Sequence, residues 1–161
     1  MRTVVSNASP LITLAKADLL NVLPQQFSVI FVPQAVVQEI LDGPENDPMR
    51  RQLKELAWMK RVTLKPSMTP LAYWQLGRGE TEVIEYARRH EGSLALLDDK
   101  DARRTASALN IPVIGTLGIV ARSASTSGID SFDEMIQRLQ DAGIYLDRRI
   151  ISDVRKGLRK R

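Results

Sequence analysis

Residues 94–115 read LALLDDKDARRTASALNIPVIG. A four-residue apolar run, LALL, is followed at once by Asp98 and Asp99. A helix is predicted from Asp99 to Asn110, and a second short apolar run, IPVIG, closes the stretch at Gly115. Apolar runs this short, without polar alternation, suit strands buried on both faces. Two of them joined by about ten helical residues make a crossover between parallel neighbours.

Outward from this unit the same alternation continues. A helix is predicted just upstream over GETEVIEYARRH (79–90) and another downstream from Thr116 to about Ser125. Thr3 to Ser6 (TVVS) reads as the first strand. Ser9 as N-cap and Pro10 at the first helical position then open LITLAKADLLNVL, with a break near Asp18. SVIFV (28–32) is a second strand, and Pro33 opens the helix QAVVQEIL, which Gly43 and Pro44 stop. A helix is predicted over Asn46–Met59, an extended piece over RVTLK (61–65) and a turn over Pro66–Pro70. The C-terminal third, 131–161, reads as helical with a break at Gly143. Strands alternating with amphipathic helices imply a single α/β domain with a central parallel sheet flanked by helices.

Composition narrows the function. The chain has 161 residues, 43% of them hydrophobic and 26% charged, as in an ordinary globular domain. No apolar stretch approaches a membrane span, and the opening MRTVVSNASP turns polar too soon for a signal peptide. With no cysteine there are neither disulfides nor thiolate metal sites. These features set the expectation of a cytoplasmic protein. The net charge of +4 is a mild excess, concentrated in the final RRIISDVRKGLRKR. That segment either attracts phosphates through counterion release or forms an ordinary solvated helix.

The acidic residues carry the chemistry. Asn7 and Asp98-Asp99 directly follow strand-like runs. Thr116 follows IPVIG, so all three segments can share one sheet edge, where open parallel sheets bind ligands. Glu80 continues the stripe of Val83, Ile84 and Ala87, and Glu39 flanks Val36 and Ile40. Carboxylates that converge repel one another unless a cation compensates them, and hard divalent cations prefer oxygen ligands. Taken singly, Glu80 can merely favour its helix dipole, and Asp99 can merely cap the next helix. Those readings do not predict that all four positions meet at one end of one sheet. Glu82, Glu85, Asp101, Asp133 and Glu134 read as solvated charges.

In order, VVSNASPLITLAK, VPQAVVQEIL, LGRGETEVIEYA and ALLDDKDARRTASALNIPVIGTLGIV resemble the PIN-domain family. The likeness is nearest to its VapC-like toxin branch, whose first motif reads SNASPL or SDTSPL, and it runs from about Val4 to Leu139. Residues 140–161 then form a basic helical extension. The resemblance implies an α/β/α fold and a Mg²⁺- or Mn²⁺-dependent ribonuclease, often a toxin held by a small antitoxin protein and commonly a homodimer. Carried over, the family's acidic positions fall on Asn7, Glu39, Glu80 and either Asp98 or Asp99, with the following Lys-Asp favouring Asp99. Ser9 and Thr116 fall on supporting positions. Asn7 departs from the pattern, because an amide oxygen ligates Mg²⁺ without charge.

These residues imply hydrolysis of an RNA phosphodiester by activated water, with Lys100, Arg103 and Arg104 as candidates to hold the backbone. Arg103 and Arg104 can equally be solvated helix charges. Single-stranded RNA is the favoured substrate, although Trp58, Tyr73, Trp74, Tyr86 and Tyr145 form no stacking motif. His90, the only histidine, lies at a helix end, so hydrolase triads lack support. Two rivals remain: a weakened or inactive PIN-like module that binds RNA or an antitoxin, and a metal-dependent phosphatase of small molecules.

Overall fold

The computed structural model describes residues 3–65 and 75–160. The turn expected at 66–70 and the pair Tyr73–Trp74 lie outside them. The chain runs β1 (Val4–Ser6), α1 (Ala8–Lys16), α2 (Val22–Gln26), β2 (Ile30–Pro33), α3 (Gln34–Asp42), α4 (Pro48–Gln52) and β3 (Met59–Val62). It continues through α5 (Arg78–Arg89), β4 (Leu94–Leu96), α6 (Lys100–Ala108), β5 (Val113–Ile114), α7 (Thr116–Ser127), α8 (Ile129–Asp141) and α9 (Arg148–Arg159).

The five strands are all parallel, in the order β3-β2-β1-β4-β5, with helices flanking the sheet. Burial explains the order. VVS of β1 and LAL of β4 are buried at every position, as central strands covered on both faces must be. The edges are blunted, because β3 exposes Lys60 and Arg61 and β5 has only two residues. Leu11, Leu14, Ile30, Ile84, Leu96, Ile119 and Phe132 fill the core.

Because β1 leads outward to β2 and β3, and the chain then returns to β4 on the other side, strand order reverses between β1 and β4. That reversal opens a crevice beyond the strands' carboxyl ends. Asn7 and the Leu97–Asp98 segment emerge there, and the Asn7 amide donates to the Leu96 carbonyl at 3.1 Å.

Several expectations need correction. Helix α1 starts at Ala8 with Asn7 as N-cap, so Ser9 is an exposed residue inside the helix and Pro10 is its third position. The predicted helix over 46–59 shrinks to the five residues of α4, which the Asp47 carboxylate caps by accepting from the Met49 amide at 2.9 Å. Met49 and Leu53 are its fully buried residues, while Leu56, Trp58 and Met59 pack against the core from beyond the helix. By Trp58 the backbone must be extended to pair with Ile30 (2.9 Å). The break near Asp18 is present, with Asp18 itself at φ 55°.

Candidate active site

The first group of site residues gathers at the start of α5. Asparagine at an N-cap normally turns its side-chain oxygen onto the amides of its own helix. Asn7 makes no such bond. Its Oδ1 is instead buried without any hydrogen-bond donor. It lies 3.1 Å from the place a β-carbon would occupy on Gly79, and Glu39 Oε2 lies 3.0 Å from the same point. The two oxygens are therefore neighbours, separated by no more than those two reaches together. Only glycine lets α5 come this close, since a methyl group there would also meet Val36 Cγ2 at 3.3 Å.

What draws α5 against α3 is Glu82. Its Oε2 accepts from the Ala35 amide at 3.0 Å, one of the first-turn donors that α3 cannot satisfy itself. Next to Gly79, Glu80 sits at the third position of α5 and takes the Gly77 amide on Oε2 at 3.0 Å. Val83, Ile84 and Ala87 bury the stripe it continues, as the spacing predicts. Glu39 feels this crowding. Its carboxyl is pushed above the usual range, first by lost solvation and second by the Glu80 charge. The Glu39 side chain stays largely exposed, so its loss of water is partial.

The second group sits at the end of β4 and is bonded quite differently. Thr116 donates its amide to Asp98 Oδ1 at 2.7 Å and its hydroxyl to Asp98 Oδ2 at 2.6 Å. Both oxygens of Asp98 thus tie the end of β4 to the start of α7. Asp99 is the N-cap of α6 and accepts from the Ala102 amide at 2.8 Å. Arg103 does not project as a free cation, for its Nη1 donates to the Leu97 carbonyl at 3.0 Å. A methyl on Gly115 would meet that nitrogen at 2.6 Å and Asp98 Oδ1 at 2.9 Å. Arg104 leans on Asp101 at 3.8 Å, both well exposed, and Lys100 is exposed.

The structure therefore brings Asn7 and Glu39 together at Gly79, with the Glu80 charge near enough to act on Glu39, while Asp98 and Asp99 hold separate hydrogen bonds of their own. Among the described residues, no three Asp, Glu or His side chains are grouped to hold a metal ion. The donor set is two carboxylates and an amide oxygen. That set still suits a hard cation such as Mg²⁺, which keeps several waters and takes one or two carboxylates from a protein. The orphaned Asn7 oxygen is the observation that favours such a fit, since leaving it unbonded costs about 1–3 kcal/mol.

Sequence reasoning missed the part played by Gly79, whose only local sign is the G-R-G before Glu80. It also missed Glu82 as the clamp on α3, and it read Glu85 as solvated. Glu85 is buried, and its Oε1 is reached by Arg88 at 2.8 Å and Arg89 at 2.7 Å. The i+3 and i+4 arginines were the available signal.

A sheet edge with acidic and amide oxygens at the strand-order reversal is where an open parallel sheet takes its ligand. A family model described as a PIN domain, DUF3368, matches residues 3–160, and the chain belongs to that family. PIN domains are generally nucleases that use divalent metals. No curated relative matches the chain. Among the described residues, no helix is long and apolar enough to cross a membrane.

Proposed function

We propose that this chain is a divalent-metal-dependent endoribonuclease of the VapC-like, SNASPL-type branch, acting in the cytoplasm as the toxin of a toxin–antitoxin pair. The observation that carries the reading is the buried, donorless Asn7 oxygen beside Glu39, itself acted on by Glu80, at the reversal of strand order. Asn7, Glu39 and Glu80 would hold a Mg²⁺ or Mn²⁺ ion, with Asp98 and Asp99 contributing from the neighbouring strand end. A bound ion supplies an acidified water and balances charge on the phosphate.

The protein's own residues do the positioning. Gly79 lets Glu39 approach Asn7, and Thr116 fixes the end of β4 beside β1 through Asp98. Glu80 holds the first turn of α5 through the Gly77 amide. Single-stranded RNA is the proposed substrate, since it can bend a phosphate into an edge crevice. The products carry a 3′-hydroxyl and a 5′-phosphate. An antitoxin would lay a basic side chain over the same oxygens, replacing the ion's charge, and the toxin is proposed to be a homodimer.

Asn7 favours a second reading, a binding module that keeps the fold and has lost the chemistry, because one expected acid is uncharged here. Labelled single-stranded RNA incubated with Mn²⁺, with EDTA, and with Glu80→Gln separates the two. Cleavage abolished by EDTA and by Glu80→Gln supports the nuclease. Retention of RNA without cleavage supports the module. Turnover of small phosphoesters alone supports a phosphatase.

A further inference from the structure

Helix α9 presents an array of cations that the site at Gly79 does not use. Arg148, Arg149, Lys156, Arg159 and Lys160 are all exposed, and among the described residues no carboxylate pairs with any of them. At 100° per residue they fall on one arc, interrupted only by Ser152, with Asp153 at its margin. The opposite arc is closed off. Ile151 is buried, and Val154 and Leu158 pack against the core. Arg155 pins the helix by donating twice to Asp133 at 2.9 and 2.6 Å, and Asp147 caps it by accepting from the Arg149 amide at 2.8 Å. The cations therefore stand on a fixed scaffold about 16 Å long.

We propose that this outer face of α9 is a second binding surface that grips the phosphate backbone of single-stranded RNA. It lies outside the Asn7–Glu39–Glu80 crevice, and the choice of RNA rests on the nuclease reading. The chemistry favours RNA over two other polyanions. A membrane-surface helix must offer its apolar face to lipid, whereas here that face is buried and Ile150, 52% exposed, is the main apolar residue on view on α9 itself, with Tyr145 (89%) exposed ahead of the helix. A protein partner needs an apolar or aromatic anchor at its centre, and this arc has none. An unpaired row of Lys and Arg fits a repeating phosphate.

The test is binding of a fluorescent single-stranded RNA of about 20 nucleotides by the full chain in EDTA, where hydrolysis plays no part, across a salt series. Each phosphate that the protein ceases to neutralise should flatten the log K against log salt slope by about 0.7. Arg149→Gln/Lys156→Gln/Arg159→Gln should therefore reduce the slope by about 2 and weaken binding at least about tenfold at low salt. Arg51→Gln/Lys54→Gln/Arg61→Gln removes the same charge from exposed positions elsewhere and should leave the slope near that of the wild type. Circular dichroism confirms that each variant is folded.

Equal slopes in all three proteins, or equal losses in both variants, would overturn the proposal. So would α9-dependent binding of anionic phosphatidylserine vesicles or of polyglutamate in the absence of RNA binding. Failure of the nuclease reading has a different signature: no Mn²⁺-dependent cleavage by a wild type whose α9-dependent slope is intact.

Discussion

Two clusters of acidic side chains stand at the same edge of this sheet, and their bonding differs. At the end of β4, Asp98 has both oxygens matched by Thr116, and Asp99 is matched by the Ala102 amide. At the start of α5, Asn7 Oδ1 is buried with no donor, and Glu39 is raised first by lost solvation and then by the Glu80 charge. The first cluster holds loops in place. The second carries an electrostatic deficit that the protein alone does not meet, and such deficits persist where a ligand meets them. Both clusters offer oxygens to an ion, and the unmet bond marks the second as the one that most needs it.

The largest expected effect lies in the crowded cluster. Glu39→Gln/Glu80→Gln should lower Mn²⁺-dependent RNA cleavage by at least about 100-fold, the scale of removing one preorganised charge from an active site. Glu39→Gln alone, free of metal, should melt no lower than the wild type, because it relieves the repulsion and leaves the Glu80–Gly77 bond in place. A fall of several degrees with cleavage intact would reverse the assignment of the clusters.

Next in size, Asp98→Asn should destabilise the fold by about 2 kcal/mol, since it weakens two hydrogen bonds to a charged acceptor. Thermal melting should show this as a drop of about 4–8 °C for a chain of this length. If Asp98→Asn leaves the melting point unchanged, the bond to Thr116 is not structural.

The sharpest contrast uses two caps. Asp99→Ala should cost about 1 kcal/mol, as loss of a working N-cap does. Asn7→Ala occupies the same kind of position but loses no cap bond and removes the buried, unbonded oxygen, so its metal-free stability should be no lower than that of the wild type. Denaturant melts of both variants, side by side, measure that difference.

The smallest effect is a pH dependence. Glu39 is raised from its ordinary value of 4.5. A carboxyl raised on folding favours the folded state while protonated, and that contribution is lost as pH climbs through the folded value. In EDTA, the stability of Glu39→Gln relative to the wild type should therefore be least near pH 4. It should grow as pH rises past the folded value and then level off. A difference that shrinks on going to neutral pH would mean that folding does not raise Glu39 through burial and the Glu80 charge.

The sequence made the sheet readable because its central strands are buried on both faces. LALL and TVVS are apolar and short, and each is followed by a turn to a helix, so their placement along the chain follows from local pattern. The helix expected over 46–59 failed because propensity cannot show where the chain must extend to pair with β2. The positions of Asn7, Glu39, Glu80, Asp98 and Asp99 at strand and helix ends were legible. Their division into two clusters was not, because it depends on the approach of Gly79 to α3 and on the reach of Thr116 to Asp98, contacts between residues distant in sequence.

Calorimetric titration of Mn²⁺ into the metal-free full chain tests the central claim most directly. The account predicts saturable uptake by the wild type, tighter uptake by Asn7→Asp, where a charge is added beside Glu39, and none by Glu39→Gln/Glu80→Gln. No uptake by the folded wild type, or uptake unaffected by the double substitution, would contradict it.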